Sequence, residues 1–466
     1  MNHIRLSFLI ICSAIALFFF SSLRHFLVQS SGWDLAIFDQ ALYLLSEGKP
    51  PISSILGFPI LGDHATFIFY VLALIYKVYP DVHWLFLIQA IALSIGTIPV
   101  YHLSLQVGLK ETLAKTLAIV YLLYPLIFNI NLFDFHPDVI ALPAILFAVL
   151  AAYQEKILVF TFAILIILSC KAVFSLTVAA MGIWLLFFKK KPTYGMIALI
   201  IGSGWFLVST QFIIPLFRGE EHSAISRYGY LGDSTLEIAK NLFFKPKLVL
   251  SHLFTLPNLE YLLLLFSPII WGLSFRYLSP LVAASPALVL NLITDYPLQK
   301  DLLHQYSLPI LPFLLIAMME TLAAGKGWFQ KPRWMLVWGV IGFIALAKVG
   351  FFWTKYLVAI DTWEATREAI TLVETKGNVL TTNKIAPHLS HREAIKLAQE
   401  GTETIDLNQF QYILLNRRHP GRDSSIVTVE TINHRAENHP EFQLSYDRDG
   451  VILWQKTREK IESHNK

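Results

Sequence analysis

The chain has 466 residues, of which 55% are hydrophobic, 14% aromatic and 15% charged, and its mean hydropathy is +0.55. These values are far from those of an average soluble globular protein and indicate a polytopic membrane protein. The formal net charge of +4 is small, and the Lys and Arg residues gather in short loops between apolar segments, which argues against a nucleic-acid surface.

Apolar segments follow one another along the first three quarters of the chain. Leu9 to Phe20, after Arg5, predicts a retained first transmembrane helix, because Ser21–His25 is a poor signal-peptide cleavage site. Stretches of about 17 to 25 residues, the length that spans a bilayer, lie near 84–107, 115–133, 138–154, 172–188, 195–216, 259–275, 279–294, 305–323 and 334–354, with a shorter one near 157–170.

Residues 66–79 decide the predicted topology, because at about 14 residues this segment is shorter than a span and is typical of a surface helix. If it does not cross, the basic loops all fall on one side, as the positive-inside rule requires. The sequence therefore predicts about 11 transmembrane helices with external surface helices, a cytoplasmic N-terminus and an extracytoplasmic C-terminus.

The composition changes after Trp353, which predicts two domains. Residues 1–354 form the predicted transmembrane domain, with a first external loop at 29–83 and another at 217–251. Residues 355–466 are charged and carry short strand-like runs, so we expect an extracytoplasmic soluble α/β domain. Within it, Phe442–Tyr446 and Val451–Trp454 flank a glycine-containing turn and predict a hairpin.

Acidic and histidine residues cluster at the ends of these apolar segments. Asp34 and Asp39 follow the first helix, Asp63 and His64 lie further along the first external loop, and Asp134-Phe-His136-Pro-Asp138 precedes another helix. Because an ionisable group at membrane depth costs about 2.5 to 3.5 kcal/mol, such clusters mark candidate sites. The predicted topology puts all of them on the extracytoplasmic side.

Five motifs together resemble the DUF2079 family of predicted membrane proteins, and the resemblance covers most of the chain. They are Asp34–Gln40, Gly62–His64, Asp134–Asp138, His304–Tyr306 and Thr382–Arg392. That family is similar to the GT-C superfamily of integral membrane glycosyltransferases. The resemblance implies a mainly α, GT-C-like fold and transfer of a sugar from a polyprenyl-phosphate donor at the extracytoplasmic face.

The chemistry of such a transfer assigns hypothetical roles to the motif residues. A carboxylate must deprotonate the acceptor hydroxyl, and Asp34 is the candidate base, with Asp39 as a second catalytic carboxylate. Cations and hydroxyls would bind the donor phosphate, and a divalent cation, Mg or Mn, would need oxygen and imidazole ligands. The phosphate candidates are Lys171, Arg227, His304 and Tyr306, and the metal candidates are Asp134, His136, Asp138 and His64.

Each assignment has a structural alternative. Asp34 and Asp39 would also suit a solvated helix face, Asp134 or Asp138 would suit a helix cap, and Lys171 would suit snorkelling at the interface. His304 would also suit a hydrogen-bonded position in the core, and Arg227 would suit an ordinary loop. In the C-terminal domain, either an acceptor-recognition surface or an exposed polar loop would account for Asn383, His388, His391 and Arg392.

One departure from the family pattern keeps other functions open. The corresponding lysine is followed by two acidic residues in the family, whereas Ala172 and Val173 follow Lys171 here. The main hypothesis is a multi-pass glycosyltransferase of the plasma (inner) membrane that acts on an extracytoplasmic glycan, lipid or protein. The alternatives are a non-catalytic GT-C-like relative that binds a glycan or lipid, a transporter, or a membrane-anchored sensor.

Overall fold

A computed structural model describes residues 5–219, 223–374 and 376–457, most of which are helical. The helices of the first part are α1 (Leu6–Phe26), α2 (Ile37–Ser46), α3 (Leu61–His64), α4 (Ile68–Tyr76), α5 (His83–Ile95), α6 (Thr97–Gln106), α7 (Glu111–Leu122), α8 (Pro125–Phe133), α9 (Asp138–Tyr153), α10 (Ile157–Cys170) and α11 (Phe174–Phe187). Those that follow are α12 (Pro192–Val208), α13 (Ile214–Arg218), α14 (Thr235–Phe244), α15 (Pro246–Leu253), α16 (Leu256–Phe266), α17 (Leu281–Ile293), α18 (Leu311–Ala323), α19 (Pro332–Leu346), α20 (Val349–Val358), α21 (Trp363–Thr371) and α22 (Ile426–Glu437).

Every segment predicted to span the membrane contains a helix, so the mainly helical architecture is confirmed. Among the described residues, five helical stretches are long and apolar enough to cross: Leu6–Phe26, His83–Gln106, Glu111–Phe133, Pro192–Arg218 and Pro332–Val358. Pro246–Leu253 with Leu256–Gly272 is a sixth candidate, bent by 59°. Shorter apolar helices account for the remaining segments, so the count of about 11 spans stays a prediction.

Helix α4 occupies the segment on which the predicted topology depends. It has 9 residues and, at 1.5 Å per residue, is about 14 Å long. The hydrocarbon core of a bilayer is about 30 Å thick. This helix is therefore too short to cross, as the sequence predicted.

The chain divides into two compact units. Unit 1 comprises Met1–Ser21, Ile60–Val71 and His83–Val349, and unit 2 comprises Ser22–Pro59, Leu72–Val82 and Gly350–Lys466. The last segment of unit 2 begins close to the predicted boundary at residue 355. Unit 2 also takes in much of the first external loop, which the sequence had assigned to the transmembrane domain.

Three glycines bring the backbones of α11 and α12 into contact in unit 1. A Cβ atom added at Gly182 would lie 2.5 Å from the backbone nitrogen of Leu199, and one at Gly202 would lie 2.7 Å from that of Ala179. Gly195 approaches the backbone of Gly182 in the same way. Small residues at helix interfaces allow this close packing in membranes, and it fixes the two helices that line the cavity described below.

Unit 2 contains a mixed sheet. Its strands are β3 (Val379–Thr381), β4 (Ile395–Leu397), β5 (Tyr412–Asn416), β6 (Phe442–Arg448) and β7 (Val451–Lys456), while the short pair β1 (Ile52–Ser53) and β2 (Phe58–Pro59) lies in the first external loop. The order is β4-β3-β5-β7-β6, with β3 parallel to β4 and β5 and with β7 antiparallel to β5 and β6. The predicted hairpin is confirmed as β6 and β7, with Asp449 and Gly450 both at positive φ in the turn.

Both faces of this sheet are covered by apolar side chains. Strand residues alternate between the faces, so that Tyr412 and Leu414 point to one side of β5 while Ile413 and Leu415 point to the other. Helix α22 covers the second face. The first face packs against α21 and against Val28 and Ala36, and these contacts join the 22–59 segment to the sheet of unit 2.

Candidate functional site

A cavity of about 260 Å³ lies in unit 1. Its walls combine apolar side chains of α11, α12, α14 and α17 with ionisable and polar side chains, several of which lie at helix ends or in loops. Predicted site residues among its lining are His64, Asp138, Lys171, Arg227 and Tyr306. A concave, mostly apolar space with a few convergent polar groups is the usual form of a ligand site.

Lys171 and Asp138 form a buried ion pair in this cavity. The Nζ atom of Lys171 lies 2.7 Å from Oδ2 of Asp138, and the two side chains are only 6% and 5% exposed. Asp138 is the first residue of α9, and Lys171 directly follows the last residue of α10. The pair therefore connects the start of α9 with the end of α10. Removing one partner of such a pair leaves an uncompensated buried charge, which is strongly destabilising.

Arg227 is the second cation of the cavity and is held by aromatic and amide groups. Its Nη1 atom donates to Oε1 of Gln299 over 3.1 Å and to the hydroxyl of Tyr306 over 3.2 Å. The guanidinium lies 4.4 Å from the centre of the Tyr296 ring. The planar group is thereby fixed in orientation, which suits recognition of an oxyanion.

His64 lies beside these cations. Its carbonyl oxygen accepts a hydrogen bond of 2.9 Å from the backbone nitrogen of Ala172, and its Nε2 atom lies 3.2 Å from a carboxylate oxygen of Asp63. The pKa of the His64 imidazole is well below its usual range, first because burial disfavours the charged form and then because Lys171 and Arg227 are close. These surroundings favour the neutral form of the imidazole.

His304 does not line this cavity, although the sequence grouped it with the phosphate ligands. Its Nδ1 atom lies 2.7 Å from Oδ2 of Asp301, whose other carboxylate oxygen accepts hydrogen bonds from the backbone nitrogens of Leu303 and His304. His304 precedes the short 3₁₀ turn that carries Tyr306. The arrangement indicates that His304 shapes the loop of Tyr306.

The predicted metal ligands do not fit a metal ion in the arrangement observed. Within the ranges that the structure describes, no group of three or more His, Cys, Asp or Glu residues is placed to hold one. Asp138 is paired with Lys171, and the Nδ1 atom of His136 lies 3.2 Å from the carbonyl oxygen of Asp134. Asp134 adopts φ 139°, a conformation that strains a residue other than glycine.

The two predicted catalytic carboxylates lie in unit 2, in very different surroundings. Asp34 is partly exposed and lies in the π-helical turn Gly32–Ala36 that precedes α2. Turns of this kind occur frequently at functional sites. Asp39 is 1% exposed and accepts hydrogen bonds from the hydroxyl of Tyr76, over 2.6 Å, and from the hydroxyl of Ser390.

His391 completes the surroundings of Asp39, with its Nε2 atom 3.0 Å from Oδ2 of the carboxylate. The carboxylate is thus already bound by three side chains, which favours a positioning role for Asp39 over that of a base. His391 and Arg392 belonged to a segment interpreted as a recognition surface or an exposed loop. In the structure Asn383 and Arg392 are buried, and His388 and His391 are partly buried. The exposed-loop interpretation was therefore wrong, and the recognition surface stays a prediction.

Sequence reasoning missed several polar residues of the cavity, among them Gln299 and Asn291. Gln299 accepts from Arg227, and its Nε2 atom donates to the Tyr228 hydroxyl over 3.1 Å. Asn291 donates to the hydroxyl of Tyr261 over 2.9 Å. A polar residue inside the apolar helix α17 was the available signal for Asn291, whereas Gln299 lies in a polar loop that carries no such signal.

Comparisons with known proteins support a membrane fold. A family model described as "Predicted membrane protein (DUF2079)" matches residues 24–453. The crystal structure of ArnT from Cupriavidus metallidurans bound to undecaprenyl phosphate is similar, with a TM-score of 0.56 and 11% identity over 96% of this chain and 97% of that one. The apo state of ArnT from that organism gives a TM-score of 0.49 and 10% identity over 94% and 97%. A search of curated proteins found no match. At these identities the likeness shows the fold alone.

Proposed function

The chain belongs to the DUF2079 family of predicted membrane proteins, and on that premise we propose that it is a membrane glycosyltransferase of the GT-C type. The proposed reaction moves a sugar from a polyprenyl-phosphate donor to an acceptor on the extracytoplasmic face of the plasma membrane. The cavity of unit 1 carries this proposal, because apolar walls and two cations meet there. An apolar tail with an anionic head matches such a cavity, and a protein of similar fold was crystallised with undecaprenyl phosphate.

Lys171, Arg227 and Tyr306 are the proposed ligands of the donor phosphate. The two cations supply charge-assisted hydrogen bonds, and Tyr306 adds a hydroxyl that already contacts Arg227. Asp138 holds the ammonium group of Lys171 at the cavity wall. His304, bound to Asp301, supports the loop of Tyr306.

The proposed transfer is a single displacement at the anomeric carbon of the sugar. The acceptor hydroxyl oxygen forms a bond to that carbon, and the bond from the carbon to the phosphate oxygen breaks. The electron pair of the broken bond leaves with the polyprenyl phosphate, where Lys171 and Arg227 balance the charge. Asp34 is the proposed base that takes the hydroxyl proton. The proposal includes no step through a metal ion.

The test is transfer of labelled sugar from a panel of polyprenyl-phosphate sugars by the purified full-length protein, with membrane extracts as acceptor. Asp34→Asn should reduce the rate by at least about a hundredfold, the size of a general-base contribution. Asp447→Asn, which changes an exposed carboxylate of β6, is the matched control and should leave the rate unchanged. Arms with divalent cations and with a chelator test the predicted metal dependence.

A carrier-binding protein without turnover is the second candidate, because Ala172 and Val173 replace the acidic pair expected after Lys171. Binding of polyprenyl phosphate that Lys171→Met abolishes, with no transfer from any donor, would support this candidate. Lys331→Met, at an exposed lysine, is the control for the loss of charge. If neither transfer nor carrier binding is found, the proposed function is wrong.

A further inference from the structure

The 383–397 segment of unit 2 contacts the helical stretch that carries Asp34 at three separate points. The first contact is at Gly32, whose backbone nitrogen donates to Oδ1 of Asn383 over 3.3 Å. A Cβ atom at Gly32 would lie 2.9 Å from Cδ2 of Leu397 and 3.0 Å from the carbonyl oxygen of Asn383. The absence of a side chain at Gly32 therefore allows the start of the π-helical turn to approach this segment closely.

The second contact is made by Gln40, which is fully buried on α2. Its Nε2 atom donates to the carbonyl oxygen of Arg392 over 3.1 Å and to the hydroxyl of Ser54 over 2.8 Å. Ser54 in turn donates to the carbonyl oxygen of Ile395 over 2.9 Å. One amide thereby connects α2 with Ser54 and, through Ser54, with Ile395 of β4.

The third contact is the buried carboxylate of Asp39. Ser390 and His391 reach it from the 383–397 segment, and Tyr76 reaches it from α4. The ring of Tyr43 on α2 stacks on His391 at 4.9 Å between centroids and 7° between planes. The contact therefore combines charge, hydrogen bonds and ring packing within a single unit.

We propose that Asp39, Ser390 and His391 act together as positioning residues that fix the position and orientation of the helical stretch carrying Asp34. The C-terminal part of the chain would thereby control the reaction by orienting the base, without contacting the substrate. This inference rests on the proposed function for its catalytic consequence. Its structural part, the dependence of the Asp34 helix on His391, stands independently of any activity.

Protonation of His391 adds a predictable response to pH. Burial lowers the pKa of the imidazole, but the charge and hydrogen bond of Asp39 outweigh burial, so that the pKa is raised. The protonated form contributes stability that is complete below the ordinary pKa of about 6.5 and is lost as pH rises through the raised pKa. The titratable or charged groups that face His391 are Asp39, Tyr43, Tyr76, Asp81 and Arg392.

Hydrogen exchange of the full-length protein tests the structural part. Peptides covering residues 32–46 should exchange at least about tenfold faster in His391→Gln and Ser390→Ala than in wild type, since hydrogen bonds to a charged group are lost. His434→Gln, at an exposed histidine of α22, is the matched control and should change nothing there. Unchanged protection in both test variants would overturn the inference.

Kinetics test the catalytic part if the wild type transfers sugar. His391→Gln should lower kcat about tenfold while leaving the KM for the donor unchanged, because a displaced base slows only the chemical step. The wild-type rate should also fall on the alkaline side, and this fall should be absent in His391→Gln. An unaltered pH profile would overturn the catalytic part. If the wild type proves inactive, the proposed function fails and the exchange experiment still decides the structural part.

Discussion

The two units each bury a carboxylate against a basic side chain, but the two pairs have different surroundings. Lys171 and Asp138, 2.7 Å apart, line a cavity of about 260 Å³ in unit 1. Asp39 and His391, 3.0 Å apart, lie in unit 2 among the hydroxyls of Tyr76 and Ser390 and the ring of Tyr43. The first pair has free space beside it, whereas the second is enclosed by its own protein partners.

This difference favours a ligand-binding role for the Lys171–Asp138 pair and a positioning role for the Asp39–His391 pair. A buried ammonium group beside a cavity can bind a ligand anion through its remaining N–H donors while it keeps its carboxylate partner. A carboxylate that already accepts from several side chains would have to break those bonds before reacting. Charge and burial alone do not make a functional residue, and the space next to the charge decides its role.

The largest expected effect comes from breaking the pair of unit 1. Asp138→Leu should lower the free energy of unfolding by about 3 to 5 kcal/mol, because Lys171 remains charged and buried without its partner. The double variant Lys171→Met with Asp138→Leu should recover most of that loss, because two apolar side chains of similar volume replace the pair. Denaturant unfolding of the detergent-solubilised protein measures both.

The double variant also tests the role of the pair in binding. It should fail to bind polyprenyl phosphate even though its stability is restored, which a purely structural pair would not predict. Carrier binding that survives in the double variant would show that the two pairs do not differ in function.

The corresponding change in unit 2 should affect stability without affecting carrier binding. Asp39→Asn should lower the free energy of unfolding by about 3 kcal/mol, because the side chain loses the charge that three neighbouring groups contact. Binding of polyprenyl phosphate should stay at the wild-type level. A loss of carrier binding in this variant would place Asp39 with the ligand-binding residues and contradict the comparison.

A smaller effect should come from filling the space at Gly32. Gly32→Ala should cost about 2 kcal/mol, because the added methyl group overlaps atoms of Leu397 and Asn383. Gly350→Ala is the control in the same unit, since a Cβ atom there meets nothing within 4 Å. Equal unfolding free energies for the two variants would show that the contact at Gly32 does not constrain the helix.

The smallest expected effect concerns the geometry of the second cation. Arg227→Lys keeps the charge but loses the two hydrogen bonds from Nη1 to Gln299 and Tyr306 and the packing against the Tyr296 ring. Carrier binding should weaken by about 1 kcal/mol, or roughly fivefold, the size of a neutral hydrogen bond. Calorimetric titration with polyprenyl phosphate measures this affinity. An unchanged affinity would show that only the charge of Arg227 contributes to binding.

Most of the helices and the hairpin could be predicted because their signals are local. Apolar runs and turn residues lie within a few positions of the structure they determine, as in the turn at Asp449 and Gly450 between β6 and β7. Lys171, Arg227 and Tyr306 were predicted as phosphate ligands because cations and hydroxyls suit that group, and the three side chains do line one cavity. The placement of His304 was not predictable, because it depends on the bend of one loop.

The sequence by itself determined the membrane class, the positions of the helices and the set of ionisable residues from which a site could be built. Only the tertiary structure decided that Asp138 pairs with Lys171, where the sequence had suggested a metal site, and that Asp39 pairs with His391. Two of the three partners of Asp39, Ser390 and His391, lie about 350 positions away along the chain, and no local pattern records such a contact. The role of a carboxylate depends on the groups that packing places beside it. For this reason Asp34 is a candidate base, whereas the same residue type at Asp39 is a buried positioning residue.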